Sequence, residues 1–140
     1  MRRRLRGFSF VPLLLLVACR TPTEPSPPSL AFDGQLIFGF PTLPTVATAE
    51  SGGILVTGEL RTPTLGYEIR GVLSSEGSRQ LRLEVDAYLI EEPLPFAAQH
   101  YYRAHLKGLA RGSYELTVVH TFLFAQIVTD TAFRGAIRVQ

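Results

Sequence analysis

The side chains whose types could do chemistry are few: one cysteine, three histidines and a scatter of carboxylates and hydroxyls. His100 and His105 have an odd separation, so one strand would point them to opposite faces, and they cannot share a metal without a bulge. His120 closes another alternating stretch and is expected to cap the core or meet solvent. Glu91 and Glu92 are adjacent, and in an extended chain their carboxylates diverge. Glu84 and Asp86 share a strand face, but it is the polar one, where a solvated exterior is the expected role. Ser74, Ser75 and Ser78 sit in a turn with no histidine nearby in sequence, and no Gly-x-Ser-x-Gly elbow presents a nucleophile. Neither Gly-x-Gly-x-x-Gly nor Gly-x-x-x-x-Gly-Lys is present to cradle a phosphate. The expectation is a protein that is not an enzyme and takes no cofactor and no metal.

The cysteine is different, because its surroundings are specific. The chain opens Met1-Arg2-Arg3-Arg4-Leu5-Arg6, and Phe8 to Ala18 is then apolar except for Ser9 and Pro12. That run is short of the roughly 20 residues needed to cross a bilayer, and it fits the apolar region of a secretory signal. It ends Leu16-Val17-Ala18-Cys19. This resembles the lipobox of bacterial lipoproteins, a likeness that covers residues 1–19. The resemblance implies cleavage before Cys19 and a diacylglycerol, usually joined by a third acyl chain such as palmitate, that ties the protein to a membrane through buried methylenes. Arg20, in place of an aspartate after the cysteine, implies the outer membrane if the host is Gram-negative. The expected organisation is a signal peptide over 1–18, a lipidated Cys19 with a Pro-rich linker over 19–29, and a folded body over 30–140. The linker, with four prolines in Arg20–Ser29, would hold the body about 30 Å from the lipid.

Charge excludes one class of partner. The formal charge is +2, but four of the 14 basic residues are in the first six positions. Without them, ten basic residues face 12 acidic ones, a charge of −2. A basic nucleic-acid-binding surface is not expected. The single cysteine allows no internal disulfide.

The elements that must carry any site are strands. Leu81, Leu83, Val85, Ala87 and Leu89 alternate with Gln80, Arg82, Glu84, Asp86 and Tyr88, a period of two with one buried and one wet face. Similar alternation predicts seven strands, near 35–40, 54–60, 67–73, 80–90, 99–106, 113–121 and 131–139. Turn residues separate them, as in Ser51-Gly52-Gly53 and Ala110-Arg111-Gly112. Short strands at this spacing predict an all-β, seven-stranded antiparallel sandwich, and one wet face per strand argues against parallel pairing. Leu106 to Val118 resembles the E–F corner of immunoglobulin-like and fibronectin-type-III-like domains. That resemblance implies a buried Tyr114 whose hydroxyl bonds back to the corner backbone. The antibody-type cysteine pair is missing, and so is any tryptophan. The mature sequence as a whole resembles small bacterial lipoproteins carrying such a domain.

Function is expected from apolar residues placed where loops should be. Thr121 to Thr129 and Glu91 to Ala97 are both rich in large apolar side chains. With fibronectin-like strand order, these loops and Arg61 to Gly66 emerge at one end, and the linker joins the body at that same end. Leu65, Leu94, Phe96, Phe122 and Phe124 are the candidate binding surface, since contiguous exposed apolar patches mark contact sites. Alternatively, strands six and seven are longer than drawn and their hairpin packs over the core. The expected function is a lipid-anchored recognition or structural module of the cell envelope. A protease-inhibitor-like sandwich that plugs a cleft with end loops is the alternative, and an envelope enzyme is the remote one.

Overall fold

The computed structural model describes residues 27–39, 41–123 and 127–140. Cys19, the signal segment, most of the linker and Phe124 lie outside the described residues. Eight strands follow one another: β1 (Ser29–Ile37), β2 (Val46–Glu50), β3 (Gly53–Thr62), β4 (Leu65–Gly77), β5 (Gln80–Leu94), β6 (Ala98–Lys107), β7 (Gly112–Leu123) and β8 (Ile127–Val139). They form two four-stranded sheets, in the orders β1-β6-β3-β2 and β4-β5-β7-β8. One apolar cluster drawn from both sheets fills the space between them.

The period of two in the sequence is the period of burial. In β5, Leu81, Leu83, Val85 and Ala87 are buried, and in β6 so are Ala98, His100, Tyr102, Ala104 and Leu106. Leu116 and Val118 of β7 face Ile54, Val56 and Leu60 of β3 within the same core. Each fully covered leucine or valine contributes about 1.5–3 kcal/mol. The sheet edges close on each other, β1 against β4 and β2 against β8. At the first seam two glycines make room for large neighbours. A Cβ on Gly34 would lie 2.6 Å from Ile69 Cγ1, and one on Gly71 would run into the Phe32 ring.

Four expectations need correction. There are eight strands, not seven, because Val46–Glu50 pairs with Gly53–Thr57 around Ser51-Gly52. This edge strand turns only small Ala47 toward the core, so it carries almost no apolar alternation. The pairing is not wholly antiparallel either: β5 and β7 run parallel, with Gln80 opposite Glu115 and Tyr88 opposite Leu123. The chain leaves β5 for the opposite layer, runs back as β6 and returns as β7. The crossover is therefore a strand in the other sheet, not a helix, and the parallel pair keeps one wet face. That arrangement also departs from the immunoglobulin order, which sets the third of the seven expected strands beside the sixth; here the third, β4, pairs with the fourth, β5, which separates it from the sixth, β7.

The fourth correction concerns the point where the chain enters the body. Ser29 pairs with Lys107, and Gly53 pairs with Lys107 from the other side. The connections β3–β4, β5–β6 and β7–β8 lie at the other end, where Thr62 pairs with Ala98 and Leu65 with Leu94. Those three connections do share one end, but the chain enters the body at the opposite one.

The tyrosine corner has the expected local geometry despite the different strand order. Tyr114 is buried and its hydroxyl donates to the Ala110 carbonyl at 3.0 Å. Leu109 is buried beside it, and Gly108 takes a positive φ of 77°. The Arg79 guanidinium lies 5.2 Å from the Tyr114 ring centroid. Tyr114→Phe keeps the ring and loses one net hydrogen bond, so a loss of about 1 kcal/mol in stability is expected, read as a lower urea unfolding midpoint.

Candidate functional site

The end of the sandwich far from Ser29 holds most of the exposed large apolar side chains. Leu36 and Phe38 lie at the exit of β1, Ile90 and Leu94 in the last part of β5, Phe96 in the connection that follows, and Ile127 and Val128 at the start of β8; all are exposed. Of the residues singled out from sequence, Leu94 and Phe96 are among them. Leu65 is half-buried and pairs in register with Leu94. Phe122 is half-buried and packs against the core, because β7 extends through Leu123 and forms the longer hairpin with β8. Phe124 lies outside the described residues. Sequence reasoning missed Leu36, Phe38 and Ile90; Ile127 and Val128 belong to the apolar stretch Thr121 to Thr129 but were not singled out.

Beside this surface, a cleft of about 660 Å³ opens between the edges β1 and β4. Its shape begins with one glycine. Leu65 pairs with Leu94 and Tyr67 with Leu89, so a single residue of β4, Gly66, stands opposite Ile90 to Pro93 of β5. Gly66 takes a positive φ of 100°, and a Cβ there would sit 3.1 Å from the Glu91 carbonyl oxygen. Pro93 has no amide hydrogen for the ladder, which suits a stretch that bows out. Ile90 and Leu94 of the bow and Leu36 of β1 are the cleft's apolar walls. Glu68, Glu91 and Glu92 also line the cleft, and among the described residues no lysine or arginine does. Tyr67 and His100 complete it, both buried. Among the described residues, the buried Tyr67 hydroxyl has no hydrogen-bond partner. Burial holds the His100 imidazole below its ordinary pKa, so it is kept neutral, with Nε2 3.4 Å from Thr62 Oγ1.

A second polar group lies inside the core. Tyr102 of β6 and His120 of β7 join the two sheets through a 2.9 Å bond between the tyrosine hydroxyl and Nε2. The same hydroxyl is 3.1 Å from Thr45 Oγ1, and the Tyr102 ring stacks on Phe32 at 5.9 Å. Burial pushes the Tyr102 pKa up to about 12. It also pushes the His120 pKa down, against a smaller opposing pull from Asp130. The Tyr102 hydroxyl is thus shared between His120 Nε2 and Thr45 Oγ1. Gly58 gives this group its space, since a Cβ there would lie 2.6 Å from Thr45 Oγ1. The arrangement ties the layers together and offers no group to an outside substrate. Nearby, the buried Glu59 carboxylate pins the segment before β2, accepting from the Leu43 amide at 3.0 Å, Arg61 Nε at 2.8 Å and Gln99 Nε2 at 3.2 Å.

Glu84 pairs with Arg82 at 2.8 Å and is partly exposed, whereas Asp86, expected on a solvated exterior, is buried and pairs with Arg70 at 3.3 Å. His105 meets Glu50 at 3.3 Å and points away from buried His100, as their odd spacing requires. Among the described residues no three histidine, cysteine or acidic side chains come together as a metal site. Compared with family models, with curated proteins and with solved structures, the chain matches none.

Proposed function

We propose that this protein is a lipid-anchored module of the cell envelope whose β-sandwich acts by binding, not by catalysis, and that its partner meets the apolar end around Leu94 and Phe96. The observation that carries the reading is placement. Exposed apolar side chains gather at the end opposite the point where the chain enters the body. A linker from Cys19 would then present that end outward, away from the membrane that holds the lipid. Contiguous apolar surface of this kind is costly to leave in water and marks contact sites.

Two measurements on the whole protein in a bacterial host test the two halves. Mass spectrometry of the mature N-terminus is expected to find a diacylated Cys19, and Cys19→Ala is expected to leave the membrane fraction; an intact leader on a soluble product defeats the anchor. Leu94→Asp with Phe96→Asp is expected to abolish cross-linking to envelope proteins while changing stability by only about 0.5 kcal/mol per site, because both side chains are already wet. Unchanged cross-linking defeats the surface. Assays against cysteine and serine proteases address the inhibitor alternative.

A further inference from the structure

We infer that the end of the body where the chain enters is a docking face for anionic lipid headgroups, so that the body stands on the membrane that holds it and does not swing free on its linker. The inference rests on the anchor of the proposed function for nearness to a membrane, and on charge for the rest. The Tyr102–His120 bond marks one level in both sheets. Gly34 and Gly58 are in register with Tyr102, Val85 and Asp130 with His120, and Gly71 with Val85. Between that level and the entry end, the described residues carry seven basic side chains against five acidic ones. At that level and beyond it, two basic side chains stand against six acidic ones. A body that is negative overall is thus positive in its entry half and strongly negative in the other. A terminal carboxylate at Gln140 leaves the entry half positive.

The tip of that half is where the cations are free. Arg79 lies between β4 and β5, Lys107 and Arg111 flank the corner between β6 and β7, and Arg138 is near the end of β8; all four are exposed. Among the described residues none of them has an ion-pair partner. Arg111 and Arg138 line one groove of about 460 Å³. Arg79 lies over the Tyr114 ring and donates to the Arg111 carbonyl at 3.2 Å. The acids at this tip are Glu50, which meets His105, and Glu76. The point of entry is an independent observation that names the same place: Ser29 pairs with Lys107, and the Pro27 carbonyl lies beside Gly108. A lipid tied to that chain keeps these four cations near the headgroups, while Glu91 and Glu92 at the far end are repelled. One lysine or arginine near an anionic surface strengthens attraction about fivefold. Four of them give an affinity only on the order of millimolar. A short tether supplies an effective concentration of about that size, so the face docks when tethered and is weak when free.

The test uses the isotope-labelled protein purified from host membranes and reconstituted into nanodiscs of pure phosphatidylcholine, or of an equal mixture with phosphatidylglycerol. Incorporation into either disc reports the anchor; where the body then lies reports the docking face. With a soluble paramagnetic agent, the NMR signals of Gly52, Gly77 and Gly108 are expected to be shielded in the phosphatidylglycerol discs and broadened in the neutral ones, with Gly66 broadened in both. The shielding should vanish at about 1 M salt, where the Debye length is only about 3 Å. Lys107→Gln with Arg111→Gln and Arg138→Gln changes three exposed side chains and should weaken the docked state roughly 100-fold, with an unchanged urea midpoint. Arg79 is left in place because it packs on Tyr114. Glu76→Gln should strengthen docking about fivefold. Should the protein carry no lipid and enter neither disc, it is expected to sediment at low salt with phosphatidylglycerol vesicles at millimolar lipid and not with phosphatidylcholine ones, and the triple variant with neither. Equal shielding in both discs, shielding of Gly66 in place of Gly108, no preference between the two vesicles, or indifference to the charge variants would each overturn the face.

Discussion

Tyr102→Ala is expected to cost about 3–5 kcal/mol, the range for truncating a fully buried aromatic ring. Tyr102 has no exposed surface, and it is where the two layers meet. Its ring stacks on Phe32 of β1, and its hydroxyl reaches His120 of β7 and Thr45 before β2. The truncation leaves a void between the sheets and removes the hydrogen-bond partner of a buried imidazole. Against a total stability of about 5–15 kcal/mol, that is a large share of what keeps a domain folded. Tyr102→Phe separates the two contributions. It keeps the ring and leaves His120 Nε2 and Thr45 Oγ1 without their common partner, at an expected cost of about 1–3 kcal/mol. Urea unfolding of both variants is the measurement. A loss below about 0.5 kcal/mol for Tyr102→Phe would mean that the polar bridge holds nothing together.

Local features of this fold are written in the sequence where one residue's neighbours decide the outcome. Leu81 to Ala87 alternates because one face of β5 is core, and Tyr114 sits at its corner because a glycine-flanked turn returns a carbonyl to its hydroxyl. Long-range pairing is not legible in the same way. The side chains of β5 would alternate identically beside an antiparallel or a parallel neighbour, so nothing in Gln80–Leu94 announces Glu115–Leu123. Nothing near Gly34 or Gly71 in sequence announces that each is the space into which Ile69 or Phe32 packs across a seam. The cleft left a fainter trace. Leu89 and Ile90 are consecutive apolar residues that break the period of two, just where β5 bows away from Gly66. The unpartnered Tyr67 hydroxyl left none, because satisfaction of a buried group depends on residues distant in sequence.

Acid is expected to destabilise this protein in a window set by two buried histidines. Burial lowers the pKa of both His100 and His120 in the folded state, while the unfolded chain keeps an ordinary imidazole near 6.5. Below that value the unfolded state takes up protons that the folded state refuses, so stability falls as pH falls. It is fully present above about pH 6.5, and the loss ends only once pH passes below each folded pKa. Each histidine contributes a slope of at most about 1.4 kcal/mol per pH unit, and the two together about 2.7. Asp130, opposite His120 in the β7–β8 ladder, pulls the other way and offsets part of the effect of burial. Urea midpoints taken from about pH 7.5 to about pH 5.5 should fall steeply over the lower part of that range, before ordinary carboxylates begin to titrate. The double variant His100→Gln with His120→Gln should be less stable at neutral pH and much flatter in acid, because its buried amides cannot take up the proton. A parent protein as stable at the acid end as at neutrality would show that both imidazoles charge freely where they sit, and that the interior between the sheets is wetter than the packing around Tyr102 implies.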